Sequence, residues 1–311
     1  MKVLVTGANG FLGKFVSAKL LEEGHVLIAT DVQDHFFDYR ISKSTEHKYY
    51  PIDLTRSFDQ IIPLIAEADV VVHLAAIVGI QNQIAPALRM FDVNVIVSGN
   101  IIRFCSEFNK YLIFSSSSEI FGKNPEYPWH ENSESKFGRT SENRWAYGMG
   151  KALIEELIFG MTEGEGLRAA CIRFFNLYGP GQGDTYLIPK WIKDSIEKSS
   201  VEIYGSGAQQ FSFTYIEDAA QFIVSLVGTS VTGPLNFGSN ENTTILQLSE
   251  MLKDFFPNLI VLAGLPNREG EFSEYSRIPS SIRSDYPYIA IPFTSLRDGL
   301  CRTVAFYRRS H

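Results

Sequence analysis

Cysteine is scarce in this chain of 311 residues, with only Cys105, Cys171 and Cys301. Three widely spaced thiols in apolar surroundings make neither a disulfide framework nor a metal-ligand pattern. They suit buried thiols in a reducing compartment. The six histidines show no ligand spacing either, so no metal site is expected. No uninterrupted apolar run reaches the roughly 18 residues that a membrane-spanning helix needs. Positive charge is in the minority, with 28 Lys and Arg against 35 Asp and Glu and a net charge of −7. That balance argues against nucleic acid or a membrane surface as the main partner. The first residues hold one lysine and run straight into a glycine loop, which argues against a signal peptide and for a cytoplasmic location. Internal repeats and low-complexity segments are lacking as well. The length suffices for a sizeable core, as one large domain or two intimate ones.

What is present starts at the N-terminus. Lys2 to Thr6 reads as a strand buried on both faces, followed at once by Gly7-Ala8-Asn9-Gly10-Phe11-Leu12-Gly13. Helical spacing runs from Lys14 to Glu23 and Gly24 ends it. A second strand, Val26 to Thr30, leads to Asp31. Strand, glycine loop, helix, strand and acid in this order are the dinucleotide-binding fingerprint. The glycines allow a tight turn and close approach of a pyrophosphate, which the helix N-terminus attracts. Asp31 lies near the roughly 20-residue spacing at which a carboxylate accepts from the ribose 2′-hydroxyl. It would repel a 2′-phosphate, so NAD is expected in preference to NADP.

Strands and helices then alternate, which predicts a doubly wound parallel α/β sheet. Further strands are expected at Lys48–Ile52, Asp69–Leu74, Tyr111–Ser115 and Arg168–Phe174, with long helices at Phe91–Phe108 and Tyr147–Met161. Gly122 to Arg144 is polar and reads as a loop. Tyr147 and Lys151 stand four residues apart, on one helix face. A lysine cation beside a phenol favours the phenolate, which can then take a proton from an alcohol near neutral pH. Alone, the pair is common on solvated helices. Ser115-Ser116-Ser117-Ser118-Glu119 ends a strand at the sheet edge where ligands bind, so a hydroxyl there can bond the same substrate oxygen.

Taken together, these segments resemble the extended short-chain dehydrogenase/reductases of the nucleotide-sugar epimerase/dehydratase group. The likeness rests on the glycine loop at 7–13, Asp53-Leu54, His73-Leu74-Ala75-Ala76, the run from Phe114 to Gly122, Tyr147 to Lys151, and Arg173 to Pro180. It implies a Rossmann domain that holds NAD through Gly7, Gly10, Phe11, Leu12, Gly13 and Asp31. It adds Asp53 and Leu54 near the adenine, Leu74, Ala75 and Ala76 along the cofactor, and Tyr147, Lys151 and Phe175 near the nicotinamide. Ser117, Glu119, Tyr147 and Lys151 are the implied catalytic residues, with Ser117, Asn176 and Arg268 toward a nucleotide-diphosphate sugar. His73 is read as structural. The implied domains are 1–175, with 211–240 returning to it, and a smaller substrate domain of 176–210 and 241–311. A homodimer is implied, with Phe91–Phe108 and Tyr147–Met161 pairing across a two-fold axis.

Two positions bear on the reaction. Glu119 resembles the carboxylate of dehydratases and uronate decarboxylases, where it acts at sugar C5 beside a transient C4 ketone. Alternatively it bonds a neighbouring loop and does no chemistry. Ser118 replaces the Asp of those dehydratases that use an Asp-Glu pair. Phe211 stands where the family usually has an arginine on the substrate diphosphate, leaving Arg268 to hold the phosphates. An NAD-dependent epimerase ranks first on family frequency. Dehydratase and decarboxylase follow, then a net 4-keto-sugar reductase and a non-catalytic nucleotide sensor.

Overall fold

The computed structural model of the chain describes residues 1–38, 45–78, 87–266, 277–279 and 291–309. In chain order the first half runs β1 (Lys2–Thr6), α1 (Phe11–Glu22), β2 (Val26–Asp31), β3 (Lys48–Pro51), α2 (Ile62–Glu67), β4 (Val70–His73), α3 (Ala87–Phe91), α4 (Ser98–Glu107), β5 (Tyr111–Ser117), α5 (Ala146–Glu165) and β6 (Ala169–Phe174). The second half runs β7 (Leu177–Tyr178), α6 (Leu187–Lys198), β8 (Ser200–Tyr204), β9 (Gln210–Ser212), β10 (Thr214–Tyr215), α7 (Ile216–Leu226), β11 (Gly233–Phe237), β12 (Asn242–Thr244), α8 (Ile245–Lys253), β13 (Ile260–Leu265) and α9 (Leu296–Arg309).

Seven strands form one sheet in the order β11-β6-β5-β4-β1-β2-β3. β1 pairs in parallel with β2 and β4, and β4 with β5. This is the doubly wound Rossmann-type arrangement expected from the alternating strands and helices. Its central strands are apolar without alternation because helices cover both faces: Val3 to Val5, Val70 to Val72 and Leu112 to Phe114 are all buried. Pro51 is tolerated because β3 is an edge. The strand order reverses between β1 and β4. Ligands of open α/β sheets bind outside the carboxyl ends of the strands at such a point.

The chain divides into two compact units. The first is 1–122, 139–173 and 220–235; the second is 123–138, 174–219 and 236–311. Its small sheets pair β7 with β10, β9 with β12 and β8 with β13. Trp191, Tyr178 and Tyr215 are buried there, as are Trp129 and Phe175, which face each other.

Two expectations are corrected. The single helix expected over Phe91–Phe108 starts at Ala87 and holds a π-helical stretch, Asp92–Val97, before α4. That wider turn carries Asn94 inward, where its side chain bonds both the N–H (2.8 Å) and the C=O (2.9 Å) of Ile77. Hydrophobic spacing does not reveal one inserted residue. Cys105 and Cys171 are buried as expected, but Cys301 is exposed on α9. Among the described residues no helix is long and apolar enough to cross a membrane, and no His, Cys, Asp and Glu cluster could hold a metal.

Candidate active site

The glycine loop is shaped by close approach. Gly7 has φ +69°, and a Cβ there would lie 2.7 Å from the Ala75 nitrogen. A Cβ on Gly13 would fall 2.1 Å from the Gly7 carbonyl oxygen. A side chain at either position would collide with that backbone, so the glycines are what allow the tight turn and the close packing of helix on strand that a dinucleotide loop requires. Gly10 caps α1 with no side-chain acceptor, so no side chain competes with an anion there. Asp31 ends β2 and turns back over the loop, accepting from the Asn9 N–H at 2.9 Å and the Val32 N–H at 2.8 Å. Asp53 is held by Thr55, while Leu54 is buried in the core. The Leu74 N–H bonds the Thr6 carbonyl, and the Ala75 N–H bonds the Thr6 hydroxyl, so 74–76 leave the end of β4 beside Gly7. These residues fit a dinucleotide.

His73 lies beneath, between the Thr6 hydroxyl (2.6 Å) and the Ser98 hydroxyl (3.0 Å). Burial, with the Lys151 cation second, pushes its pKa down to about 3. A neutral imidazole with both nitrogens engaged ties β1, β4 and α4 together.

The serine run is sorted by the pleat of β5, since alternate residues face opposite ways. Ser116 is buried and donates to Glu155, whereas Ser117 is half-buried and accepts from the Glu119 N–H at 3.2 Å. Lys151 is almost fully enclosed, donates to the Ser115 carbonyl at 2.7 Å and sits 6.0 Å from the centre of the Tyr147 ring. Below it Glu155 forms a two-pronged pair with Arg173, with contacts from 2.6 to 3.1 Å. Burial is the largest influence on Lys151. It pushes the ammonium down from the ordinary lysine range to about 8, while Glu155 and Cys171 act the other way. The cation is present below that pH and lost above it. Turnover that needs a cation beside Tyr147 should therefore decline as pH rises through about 8. Lys151→Arg, whose guanidinium stays charged, should flatten that decline in a pH–rate profile. A wild-type rate that holds level up to about pH 10, the range of an ordinary lysine, would contradict this.

Glu119 sits in the 3₁₀ turn Ser118–Phe121 that ends β5. Its carboxylate accepts from Arg144 at 3.0 Å. The first unit thus brings Ser117, Glu119, Tyr147 and Lys151 together around the end of β5 and the start of α5.

The family described as the NAD dependent epimerase/dehydratase family matches residues 3–237. The chain belongs to this family. Its cofactor is NAD. Among curated relatives of this epimerase/dehydratase chain, a UDP-N-acetyl-alpha-D-glucosaminuronate decarboxylase of Bacillus cytotoxicus is 30% identical, over 80% of this chain and 78% of its own. UDP-glucuronic acid decarboxylase 1 of Danio rerio is 26% identical, over 99% of this chain and 73% of its own. Among solved structures, UDP-N-acetylglucosamine 4-epimerase from Methanobrevibacter ruminantium M1, bound to UDP-N-acetylmuramic acid, superposes with a TM-score of 0.87 at 24% identity. That match covers 100% of this chain and 99% of the other.

In the second unit Phe175 is fully enclosed against Trp129 and Phe237. Asn176, at φ +33°, donates to the Ser212 carbonyl at 3.0 Å. Arg268 lies outside the described residues. Sequence reasoning missed Arg277, whose guanidinium lies 6.0 Å from the centre of the Phe211 ring and reaches the Asn176 amide oxygen at 3.5 Å. It missed Arg144 and Asn94 too. For Arg144 a signal was available, since three residues before Tyr147 is about one helical turn.

Proposed function

We propose that this family member decarboxylates a nucleotide-diphosphate uronate through a transient 4-keto sugar. The observation that carries the reading is Glu119 in the turn that ends β5, bonded to Arg144 in the turn from which the helix of Tyr147 and Lys151 starts. Family frequency alone ranks the epimerase first. The two curated relatives described above, which cover 80% and 99% of the chain, carry uronate decarboxylase names, which favours decarboxylation.

NAD is assigned to the glycine loop, Asp31, Asp53, Leu54 and residues 74–76, and when bound it supplies a hydride acceptor at C4 that later gives the hydride back. Tyr147, as phenolate, takes the proton of the C4 hydroxyl while Ser117 hydrogen-bonds the same oxygen. Lys151 supplies the cation that keeps the phenol acidic. The C4–H and O–H bonds break and a C4 ketone forms. That ketone is β to the C6 carboxylate, so the C5–C6 bond can break. CO2 leaves, and the bonding pair moves through C5 into the carbonyl to give an enolate. Glu119, as a carboxylate, orients the water that delivers a proton to C5. O4 recovers its proton from Tyr147 as C4 recovers its hydride. The balance is one uronate and one proton in, one decarboxylated sugar and one CO2 out, with no net redox.

Substrate binding is assigned to the second unit, through Asn176, with Arg277 as a cation toward an anionic group; Arg268 is assigned to the substrate phosphates on the family resemblance alone. Mass spectrometry of products from a panel of nucleotide uronates and neutral nucleotide sugars tests the reading. Loss of CO2 from a uronate is expected. Turnover with no mass change would establish the second reading, 4-epimerisation, which is favoured by one observation: the Arg144 contact allows Glu119 to serve as a loop tie.

A homodimer is proposed as well. Met149, Leu153 and Leu157 repeat every four residues along one exposed face of α5, and Leu88, Phe91 and Ile96 are exposed on the neighbouring helical stretch. Light scattering should give twice the chain mass; the mass of one chain would refute the dimer.

A further inference from the structure

We propose that Arg144 is a positioning residue that sets the carboxylate of Glu119 against the Tyr147 helix, and that the steps after ketone formation depend on this pair. The inference rests on the role given to Glu119 above.

The geometry is local and held at both ends. On one side, Glu119 has its backbone N–H bound by the Ser117 hydroxyl, so its turn is held to the strand end. On the other, Arg144 stands in a 3₁₀ turn, Asn143–Trp145, from which α5 starts at Ala146. Its guanidinium carbon lies 5.4 Å from the centre of the Trp145 ring. Trp145 is itself buried, and its indole N–H donates to Glu142 at 2.8 Å. The turn that aims Arg144 is therefore the turn that launches Tyr147.

The two side chains are withdrawn from water, with Arg144 9% and Glu119 12% exposed. A pair so placed loses hydration on both partners, and such pairs are weak contributors to stability. What it provides is a fixed direction. Glu119 as a carboxylate accepts hydrogen bonds and donates none, and its contact with the guanidinium fixes one of its oxygens. A carboxylate held in this way can orient a water or hydroxyl at C5, but the initial oxidation at C4 has no need of it. Arg144 should accordingly matter after the ketone and not before it.

The test uses the full-length enzyme with a nucleotide uronate that it turns over and excess NAD, whose reduction balances any ketone released. Arg144→Met and Arg144→Gln remove the charge, and Arg144→Lys retains it. Mass spectrometry follows 4-keto species against the final decarboxylated sugar, and KM is measured beside kcat. The neutral variants should still form 4-keto sugar and should yield final product about tenfold more slowly or worse, the lower part of the range for acid–base machinery. KM should change little. Arg144→Lys should restore most of the product, because an ammonium can also donate a charge-assisted bond to the Glu119 carboxylate. Wild-type product ratios in both neutral variants would overturn the proposal. So would equal loss of ketone and product in all three variants, the sign of a purely structural arginine. If Glu119→Gln impairs product formation and the neutral Arg144 variants do not, this inference fails while the decarboxylase reading stands. If Glu119→Gln changes nothing, the reading of Glu119 fails first.

Discussion

Tyr147→Phe should lower kcat by ~10²–10⁴-fold, the usual contribution of a positioned acid–base group, and should bind NAD as the wild type does. The substitution removes one oxygen and leaves the ring. Lys151 keeps its bond to the Ser115 carbonyl, so the enclosed cation remains in place. The glycine loop, Asp31 and residues 74–76 are untouched. What disappears is the acceptor for the proton of the C4 hydroxyl. A loss of that size corresponds to about 3–5 kcal/mol of transition-state stabilisation. Steady-state kinetics beside calorimetric titration with NAD measure the two effects separately. A variant with activity within tenfold of wild type would remove Tyr147 from the chemistry. One that has also lost NAD binding would show the phenol to be part of the cofactor site.

Glu119→Gln should slow formation of the decarboxylated sugar by ~10²-fold or more and leave ketone formation largely intact. Glutamine has nearly the shape of glutamate and can still accept from Arg144 through its amide oxygen, so the turn after β5 should hold. The charge is lost, and with it the ability to orient a proton donor toward the enolate. Removing one partner of a withdrawn ion pair leaves the other exposed to a desolvation cost. Thermal unfolding of the variant should therefore be read beside its kinetics. An epimerase would keep most of its rate in this variant, because reduction of the ketone from its other face needs no proton transfer at C5. Product analysis with one uronate thus distinguishes a chemical Glu119 from one that only ties a loop.

The Rossmann sheet was legible in the sequence because every element of the glycine fingerprint is local. Val3 to Val5 can be buried only in a strand covered on both sides, and Gly7, Gly10 and Gly13 follow within one turn of chain. The spacing of Tyr147 and Lys151 is local in the same way. Other features were hidden. Asn94 turns inward onto the backbone of Ile77 within a π-helical stretch, which leaves hydrophobic spacing nearly unchanged. Phe211 reads as the loss of an arginine. Yet Arg277 pairs with it as an isolated bridge and brings a guanidinium over its ring, from 66 positions further along the numbering (277 − 211). Cys301 was expected among apolar neighbours, but the face of α9 that carries it is turned to water.

By itself the sequence determined the order of strands and helices, the dinucleotide loop, and a tyrosine and lysine on one helix face. Those follow from periodicity, glycine geometry and short spacing, which act between near neighbours. Only the tertiary structure decided that Ser115 and Ser117 of the run stand half out of the core while Ser116 and Ser118 are buried, that Lys151 is enclosed above Glu155 and Arg173, and that Arg144 meets Glu119. The physical reason is that burial and charge pairing are properties of the folded environment. They depend on which strand end lies against which helix start, and no local spacing in the chain encodes that contact.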